Sequence, residues 1–494
     1  MPNQYRSILK ATSIFGGTQF VQILVGLVRS KFVAIYVGTI GMGLNSIYMS
    51  SLWIFITIFG MGINMSVVKD LSKAYDTQDW ETFSKIVRTF RHILLLSGVL
   101  GTFCVIAFSP LLSRWTFEDD EHVASFAFLS LMVLFTLLSQ GNTAILVGSR
   151  RIKTTATCSL VGSIVSLIVT IPFFYFWRLD GIVPGIVFST ISNYIITYYY
   201  AKKVKLERVS LSIREQFTFS RSLIVLGMTM VIGCLLANLS NYLVNLSVAR
   251  LGNLSDLGLY GAGFSITIQT ITMVFASMGS DYFPRLSAAM GDRDRMNQTI
   301  NEQSEILLLL TTPILAVFMI VAPIVVRLLL SVEFLPVTGF IRILCFGMLL
   351  RAGSYALGYA SFAKGDRNVY LLVEGFYANF ANILFVVIMY YFWGLNGMAW
   401  AFVLNYTLYY LLIRYIDTRR YGYQISTEVL KLGSFSMVSL LLLLCISYVL
   451  PKVWYFSIGS VFAFFVCFYY LRILAQKTDV FNNLICLFKS KVNL

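Results

Sequence analysis

Polar side chains recur at helical spacing within the first long apolar stretch of the sequence. This first stripe consists of Gln19, Gln22, Gly26 and Arg29. The spacing is i, i+3, i+7 and i+10, so the four residues share one face of a helix. Because polar groups are costly inside a membrane, they usually face water or one another. We therefore predict that the first stripe borders a water-filled path.

A second stripe lies on the seventh apolar stretch and consists of Asn238, Asn241 and Asn245. The spacing again places the side chains on one face of a helix, and we predict that the two stripes face each other across the same path. The alternative is that the amides only hydrogen-bond neighbouring helices, which holds membrane helices together without any contact to a ligand.

Arg351 is the most deeply placed charge, near the middle of the tenth apolar stretch. An unpaired charge at that depth costs at least about 2.5 kcal/mol, so Arg351 needs water or a partner. Glu374, in the adjoining stretch, lies within its reach on a helical count. The two form either a structural ion pair or a gate or ligand contact. Arg342 is turned to the opposite face and lies nearer a boundary, where it can snorkel to the interface.

The composition excludes several classes of protein. Of the 494 residues, 57% are hydrophobic and only 12% are charged, about half the charge of a globular protein, and mean hydropathy is +0.77. The seven cysteines form no CxxC pair and the chain has two histidines, so we expect no metal site. The net charge of +15 is spread over many loops, so we expect no nucleic acid as a partner.

The apolar stretches predict an all-α membrane protein, because runs of about 18 or more apolar residues are typical of membrane-spanning helices. We expect the first stretch to be retained, since it lacks a small-x-small cleavage site and leads into another span. Fourteen spans are predicted, at residues 11–28, 44–67, 92–112, 123–147, 155–177, 182–200, 222–247, 258–280, 306–330, 337–362, 368–392, 395–413, 429–450 and 453–474.

The distribution of lysine and arginine predicts the orientation. With the N-terminus inside, basic residues of the cytoplasmic loops outnumber those of the outer loops by about four to one. The N- and C-termini are then both cytoplasmic, and the acidic run at residues 118–121 lies outside. No connection is long enough for a soluble domain, which usually needs at least about 50 residues.

An internal repeat predicts how the helices are organised. A Gly-rich corner at residues 38–45 precedes the second span, and a similar corner at 252–260 precedes the eighth, about 215 positions later. This spacing predicts two pseudo-symmetric six-helix lobes, at residues 1–205 and 215–420. Residues 421–494 would add two transmembrane helices and a cytoplasmic tail.

Four segments of the sequence resemble the polysaccharide flippases of the MOP superfamily. Residues 257–262 and 283–287 are similar to the superfamily's eighth-helix signature, and residues 328–334 and 351–364 are similar to its Wzx branch. The resemblance covers most of the chain, up to the last two spans. It implies a fold of two six-helix lobes in a V, with basic and polar residues lining a cavity between them.

The resemblance also implies a transporter rather than an enzyme. Such a flippase moves an undecaprenyl-pyrophosphate-linked oligosaccharide from the cytoplasmic to the periplasmic leaflet by alternating access, in O-antigen-type (lipopolysaccharide) biosynthesis. The location would be a bacterial inner membrane. Expected partners are the lipid-linked oligosaccharide, the bilayer, and a polysaccharide polymerase with other assembly proteins. No cofactor is expected, and the driving force would be a proton or a sodium gradient.

Under this resemblance, Arg29 would hold the pyrophosphate through paired charged hydrogen bonds. Lys31 would either join it or snorkel to the outer interface. Arg351 and Glu374 would form a second charged station. The predicted substrate-binding residues are Gln19, Gln22, Arg29, Lys31, Asn238, Asn241, Asn245, Arg342, Arg351 and Glu374.

Three other functions compete with this hypothesis. A drug or cation antiporter of the same superfamily would be expected to place carboxylates in its cavity, whereas the embedded charges here are mostly basic. A membrane enzyme of glycan assembly would be expected to carry a sizeable outer loop, and the outer loops are short. A scaffold for the assembly machinery would have no use for paired polar stripes.

Overall fold

The computed structural model of the protein describes residues 2–207 and 213–477. Within these ranges, the side chains that it describes are those outside 2–16, 20, 65, 213–230, 273, 276–280 and 452. The described residues are almost entirely helical and contain no strand, so the predicted all-α membrane fold is confirmed.

Contacts within the chain group the residues into two units. Unit 1 comprises residues up to Gly258 together with the short segment Leu329–Glu333, and unit 2 comprises Leu259–Leu328 and the residues from Phe334 onward.

The helices of unit 1 follow the predicted spans closely. They are α1 Pro2–Tyr36, α2 Gly38–Gly60, α3 Ile63–Asp76, α4 Trp80–Phe117, α5 Val123–Leu129, α6 Leu131–Gly148, α7 Ile152–Trp177, α8 Ile182–Ala201 and α9 Ile213–Leu251. The first residues of α10, Leu254–Ala289, also belong to unit 1.

Unit 2 contains the rest of α10 and the remaining helices. These are α11 Arg293–Leu329, α12 Val337–Lys364, α13 Arg367–Tyr370, α14 Ala378–Ile416, α15 Thr427–Val449 and α16 Lys452–Lys477. Two π-helical turns, Leu371–Tyr377 and Asp417–Tyr421, flank α14, and a 3-10 turn, Val332–Phe334, precedes α12. Each of the fourteen predicted spans corresponds to one or two helical segments.

Within the described residues, eleven helices are long and apolar enough to cross a membrane. One of them, Arg367–Tyr421, contains two predicted spans, at 368–392 and 395–413. These two are separated by a kink at Gly394, whose φ of 56° is non-helical. The helices α8 and α10, which also correspond to predicted spans, are not among the eleven.

The second predicted span, at 44–67, is wrong at its C-terminal end. The helix α2 ends at Gly60, because Met61 and Gly62 both take positive φ angles, of 48° and 60°. The Met61 N–H then bonds the carbonyl oxygen of Ile58, which caps the helix. A separate helix, α3, follows the break.

Close helix packing in unit 1 depends on small residues, as is typical of membrane bundles. A Cβ at Gly98 of α4 would lie 2.8 Å from Leu134 Cδ1, and one at Gly141 of α6 would lie 2.3 Å from Leu94 Cδ1. Around this interface the core of unit 1 is closed by fully buried side chains, among them Phe83, Phe90 and Val133.

The centre of unit 2 is α12, which packs against α14 and α15. Phe340, Leu344 and Met348 on this helix are fully buried. Gly347 lets α14 approach, since a Cβ there would lie 2.6 Å from Phe402 Cδ1. This tight packing fixes α12 and therefore the position of Arg351.

The two corners of the predicted repeat meet within unit 1. A Cβ at Gly43 would lie 1.9 Å from the Leu254 carbonyl oxygen, and a Cβ at Gly258 would lie 1.9 Å from the Thr39 carbonyl oxygen. The two contacts are reciprocal, because each glycine touches the corresponding carbonyl of the other corner. These contacts pack the two corners closely against each other, and the predicted repeat itself stays a prediction.

Candidate functional site

Arg351 lies among aromatic side chains of unit 2. The guanidinium carbon is 5.7 Å from the ring centroid of Phe275 and 5.7 Å from that of Tyr406. Both distances allow cation–π attraction. Among the described residues, Arg351 has no hydrogen-bond or salt-bridge partner. The guanidinium therefore keeps its hydrogen-bond donors available.

Glu374 sits beside this cluster, in the π-helical turn that precedes α14. The Tyr409 hydroxyl donates a hydrogen bond to Glu374 Oε1. The absence of a side chain at Gly358 makes room for this pair, because a Cβ there would lie 2.8 Å from the Tyr409 hydroxyl oxygen. Isolated π turns are frequent at functional sites, where they re-aim a side chain out of the helical register.

The alternative of a structural ion pair between Arg351 and Glu374 is not what the structure shows. Within the described part of the chain no salt bridge joins them: Glu374 is bonded by Tyr409, and Arg351 lies over rings. The two groups nevertheless lie near each other in unit 2, because Arg351 lies beside Tyr406, and Tyr406 packs on the Tyr409 ring that bonds Glu374.

The rings around Arg351 are held in fixed positions. Tyr355 stacks on Phe275 with centroids 4.5 Å apart, and its hydroxyl donates to the Phe275 carbonyl oxygen at 3.0 Å. Tyr406 packs on Phe402 at 4.6 Å. Sequence reasoning missed these rings, because an aromatic ring inside an apolar span gives no distinct signal.

Arg342, on the same helix, has protein partners. Its guanidinium carbon lies 4.2 Å from the Tyr455 ring centroid, and Nε donates to the Met319 carbonyl oxygen at 3.3 Å. The Tyr455 hydroxyl donates to the same carbonyl at 3.1 Å. Arg342 thus links α12 to α11 and α16 and is not joined to the Arg351 cluster.

The first stripe borders open space. Gln19 is exposed, and Gln22 and Arg29 are half-buried. None of the three has a hydrogen-bond or salt-bridge partner among the described residues. A Cβ at Gly26 would find no atom within 4 Å, so this face of α1 is not packed. The helix contacts α7 and α2.

Lys31 is engaged by the protein rather than left free to snorkel. Its Nζ donates to the Leu330 carbonyl oxygen, in the segment Leu329–Glu333 that belongs to unit 1. In the same segment Glu333 accepts from the Thr39 hydroxyl at 2.7 Å and lies at the N-terminus of α2, where a negative charge is favoured. Lys31 therefore helps to hold this segment in place.

The second stripe is only partly open. Asn238 Nδ2 donates to Thr57 Oγ1 at 2.7 Å, and Asn245 Nδ2 donates to the Ser46 carbonyl oxygen at 3.4 Å. Asn241 is exposed and has no hydrogen-bond partner among the described residues. Since α9 packs mainly on α2, α3 and α4, the structure does not bring the two stripes together as neighbouring surfaces. Asn238 and Asn245 therefore hydrogen-bond a neighbouring helix, which was the alternative to lining a path.

Asp417 is a buried charge that sequence reasoning missed. It begins the π-helical turn after α14, is 0% exposed, and neither carboxylate oxygen has a hydrogen-bond partner in the described part of the chain. In the sequence it stands next to a basic run that indicates a cytoplasmic loop, so nothing marked it as buried. Across the described residues, no cluster of three or more histidine, cysteine and acidic side chains could hold a metal ion.

The comparison with known families decides the class of the protein. A sequence profile of the family described as "Polysaccharide biosynthesis protein" matches residues 42–339. The chain belongs to this family. Membership confirms the resemblance to the polysaccharide flippases of the MOP superfamily, and this family member is a membrane transporter, not a catalytic enzyme.

Individual relatives agree with the family. The "Lipid III flippase" of Escherichia coli (strain K12) is 20% identical over 426 residues, which cover 82% of this chain and 97% of that protein. The protein of the same name from Shigella flexneri matches to the same extent.

Solved structures match the fold. The "Lipid II flippase MurJ" in an inward closed conformation has a TM-score of 0.69 and 15% identity, covering 94% of this chain and 99% of that one. An inward-facing multidrug resistance MATE family transporter of the MOP superfamily also has a TM-score of 0.69, at 14% identity, covering 81% and 94%. At these identities the likeness establishes the shared fold of a multi-pass membrane transporter.

Proposed function

We propose that this flippase translocates an undecaprenyl-pyrophosphate-linked oligosaccharide from the cytoplasmic to the periplasmic leaflet of a bacterial inner membrane, for O-antigen-type polysaccharide biosynthesis. Alternating access would be driven by a proton or a sodium gradient. The transported lipid would come from, and pass to, other proteins of polysaccharide assembly, such as a polymerase. The family and the lipid III flippase relatives support a lipid-linked oligosaccharide as the substrate class.

The observation that carries this proposal is the state of Arg351. A guanidinium inside a membrane helix is costly unless it is paired or hydrated. Among the described residues, aromatic rings lie beside the Arg351 guanidinium, but no side chain or carbonyl accepts a hydrogen bond from it. An anionic head group would supply the missing acceptors, since a guanidinium binds phosphate oxygens through paired charged hydrogen bonds. The surrounding rings offer flat faces to the sugars.

Arg29 is the second group of this kind. It lies on an unpacked face of α1 and likewise has no salt-bridge or hydrogen-bond partner in the described chain. We assign to Arg29 and Arg351 the contacts with the pyrophosphate, and to Gln19, Gln22 and Asn241 contacts with neighbouring polar groups. Asn238, Asn245, Lys31 and Arg342 would act by holding helices and segments in place.

The experiment that tests the proposal compares two arginines of α12. The purified protein is reconstituted in liposomes, and translocation of a fluorescent undecaprenyl-pyrophosphate-linked oligosaccharide is measured. Arg351→Gln should lower the rate at least about tenfold, the loss expected when one charged hydrogen-bonding pair is removed. Arg342→Gln is the matched control, because its partners are protein groups, and it should lower thermal stability more than transport. Equal rates in the wild type and Arg351→Gln would refute the assignment.

A cation antiporter remains the second candidate, and buried Asp417 is the observation that favours it. A carboxylate without hydrogen-bond partners is a group that could accept a proton or a cation. Uptake of a cationic dye by the same liposomes, abolished by Asp417→Asn, would support the antiporter and count against the flippase.

A further inference from the structure

A separate cavity opens inside unit 1, away from the residues assigned above. It has a volume of ≈ 1080 Å³ and lies between α4, α6 and α8. This volume is slightly above that of most small-molecule sites, which usually measure about 300–1,000 Å³, so the cavity is large enough for such a ligand. The side chains that give it polar character are Ser84, Arg88, Arg91, His92, Asn142, Tyr194, Tyr198 and Glu207.

Arg91 is the unusual member of this lining. Its Nε and Nη2 atoms are buried, yet neither has a hydrogen-bond partner among the described residues. Buried donors of a charged group without an acceptor destabilise the folded state, so a site that keeps them normally supplies the acceptor in another way. The close packing of α4 on α6 at Gly98 and Gly141 holds this part of α4 in place.

The other lining residues define the charge that would fit. Arg88 lies one turn from Arg91 on the same helix, and His92 is the next residue after Arg91; both are exposed and line the cavity. Among the described lining residues, Glu207 is the one carboxylate; it is exposed and forms no salt bridge with Arg91. The described part of the lining therefore carries two arginines and one carboxylate, a positive balance.

The helix α8 adds neutral donors at the position where a lipid head group would lie. Tyr194 and Tyr198 of this helix line the cavity together with the arginines, whereas the amide of Asn142 on α6 already donates to Thr197 Oγ1 at 3.5 Å. The arginines are near the N-terminal end of α4, which the distribution of basic residues predicts to be cytoplasmic. Tyrosine hydroxyls beside arginines are typical of the level of a membrane at which phosphate groups lie.

We propose that this cavity is a phosphoryl-binding site, in which the Arg91 fork holds the phosphate oxygens and Arg88 adds a second positive charge. The phosphate can belong to the head group of an anionic lipid or to a free phosphate or pyrophosphate in the cytoplasm. This site lies on different helices from Arg29 and Arg351 and does not depend on the transported substrate, so its test needs no transport.

Native mass spectrometry of the full chain tests the proposal with two probes. In the lipid arm, protein from phosphatidylcholine nanodiscs is titrated with phosphatidylglycerol, and the bound lipid is counted. In the soluble arm, inorganic pyrophosphate is added to the loaded protein. Displacement of the lipid shows that the site also accepts free phosphates, and binding of the lipid without displacement assigns the site to head groups.

Four variants decide between a built site and general charge attraction. Arg91→Gln should weaken phosphatidylglycerol binding at least about tenfold, and Arg88→Gln should weaken it less. Arg91→Lys should weaken it several-fold, because the ammonium keeps the charge but loses the fork. Arg295→Gln is the control, since that arginine is exposed and pairs with Asp292, and it should bind as the wild type does.

Two results would overturn the proposal. One is wild-type binding in Arg91→Gln, and the other is an equal loss in Arg91→Gln and Arg295→Gln. Thermal unfolding and gel filtration show whether Arg91→Gln is folded. If it is not, the Arg91→Lys variant is used instead, and unchanged lipid binding in that variant rejects the site.

Discussion

At the scale of single residues, the three arginines named in the spans differ in what surrounds them. Arg342 is bonded to a carbonyl and covered by a ring, whereas Arg351 lies over rings near the Glu374 carboxylate without a hydrogen bond, and Arg29 lies beside open space. The same side chain therefore serves as a structural link in one place and as an unsatisfied donor in two others. That difference separates a helix-joining role from a ligand-binding role.

The Tyr409–Glu374 hydrogen bond gives a first residue-scale prediction. Tyr409→Phe leaves the partly buried carboxylate without its donor, and we expect the free energy of unfolding to fall by about 1–3 kcal/mol. The measurement is thermal unfolding of the purified protein in detergent. Tyr410→Phe is the control, because Tyr410 has no hydrogen-bond partner among the described residues. An equal effect of the two substitutions would mean that the bond adds nothing.

The buried carboxylate of Asp417 leads to a second prediction for a single residue. A fully buried carboxylate without partners is costly to fold, so its neutral isostere should be tolerated. We expect Asp417→Asn to leave thermal stability unchanged or to raise it, by up to about 2 kcal/mol. A marked drop in the unfolding temperature would show that the carboxylate is satisfied by a bound cation or water.

At the scale of elements, the sequence predicted the helices well and their interruptions poorly. Hydropathy identifies a span because lipid selects apolar side chains along its whole length. It does not register the break at Met61 and Gly62 or the π turn around Glu374, since neither changes the apolar character of the stretch. The Gly394 kink was placed correctly, as the short gap between two spans.

The meeting of the repeat corners gives an element-scale prediction. Gly43→Ala or Gly258→Ala would place a Cβ 1.9 Å from a carbonyl oxygen, so the corners must separate. We expect each substitution to lower the free energy of unfolding by about 1–3 kcal/mol, as overpacking does. Thermal unfolding measures the effect.

The control for this pair is Gly233→Ala, on α9, where a Cβ meets no atom within 4 Å. There the loss of a helical glycine should be neutral or stabilise by up to about 1 kcal/mol. If Gly43→Ala and Gly258→Ala behave like this control, the two corners are not in contact.

At the scale of the whole molecule, fold and class could be read from the sequence, and the site could be read only in part. Charge, hydropathy and the repeat depend only on the order of residues along the chain, so they were enough to predict the all-α membrane fold. The candidate positions Arg29, Arg351 and Glu374 stood out because polar groups are rare in spans. The surroundings of these residues, and the roles of Asp417 and Arg91, depend on which helices pack together. The spacing of polar and apolar residues in the sequence does not predict that packing.

The predicted orientation, with both termini in the cytoplasm, can be tested on the whole molecule. With the native cysteines replaced, Glu121→Cys should react with a membrane-impermeant thiol reagent added to intact spheroplasts, and Asp294→Cys should react only after lysis. Both positions are exposed, so access to the reagent reports the side of the membrane. The reverse labelling pattern would place the termini outside.

Comparing a charged with an uncharged lipid substrate tests most directly whether the unpaired arginines bind an anionic head group. Liposomes containing the wild type, Arg29→Gln or Arg351→Gln are given the same oligosaccharide on a pyrophosphate-linked or an uncharged polyprenyl lipid. The wild type should translocate the charged lipid at least about tenfold faster than the uncharged one, and each variant should lose most of this preference. Equal rates for the two lipids in the wild type, or a preference unchanged in both variants, would contradict the account.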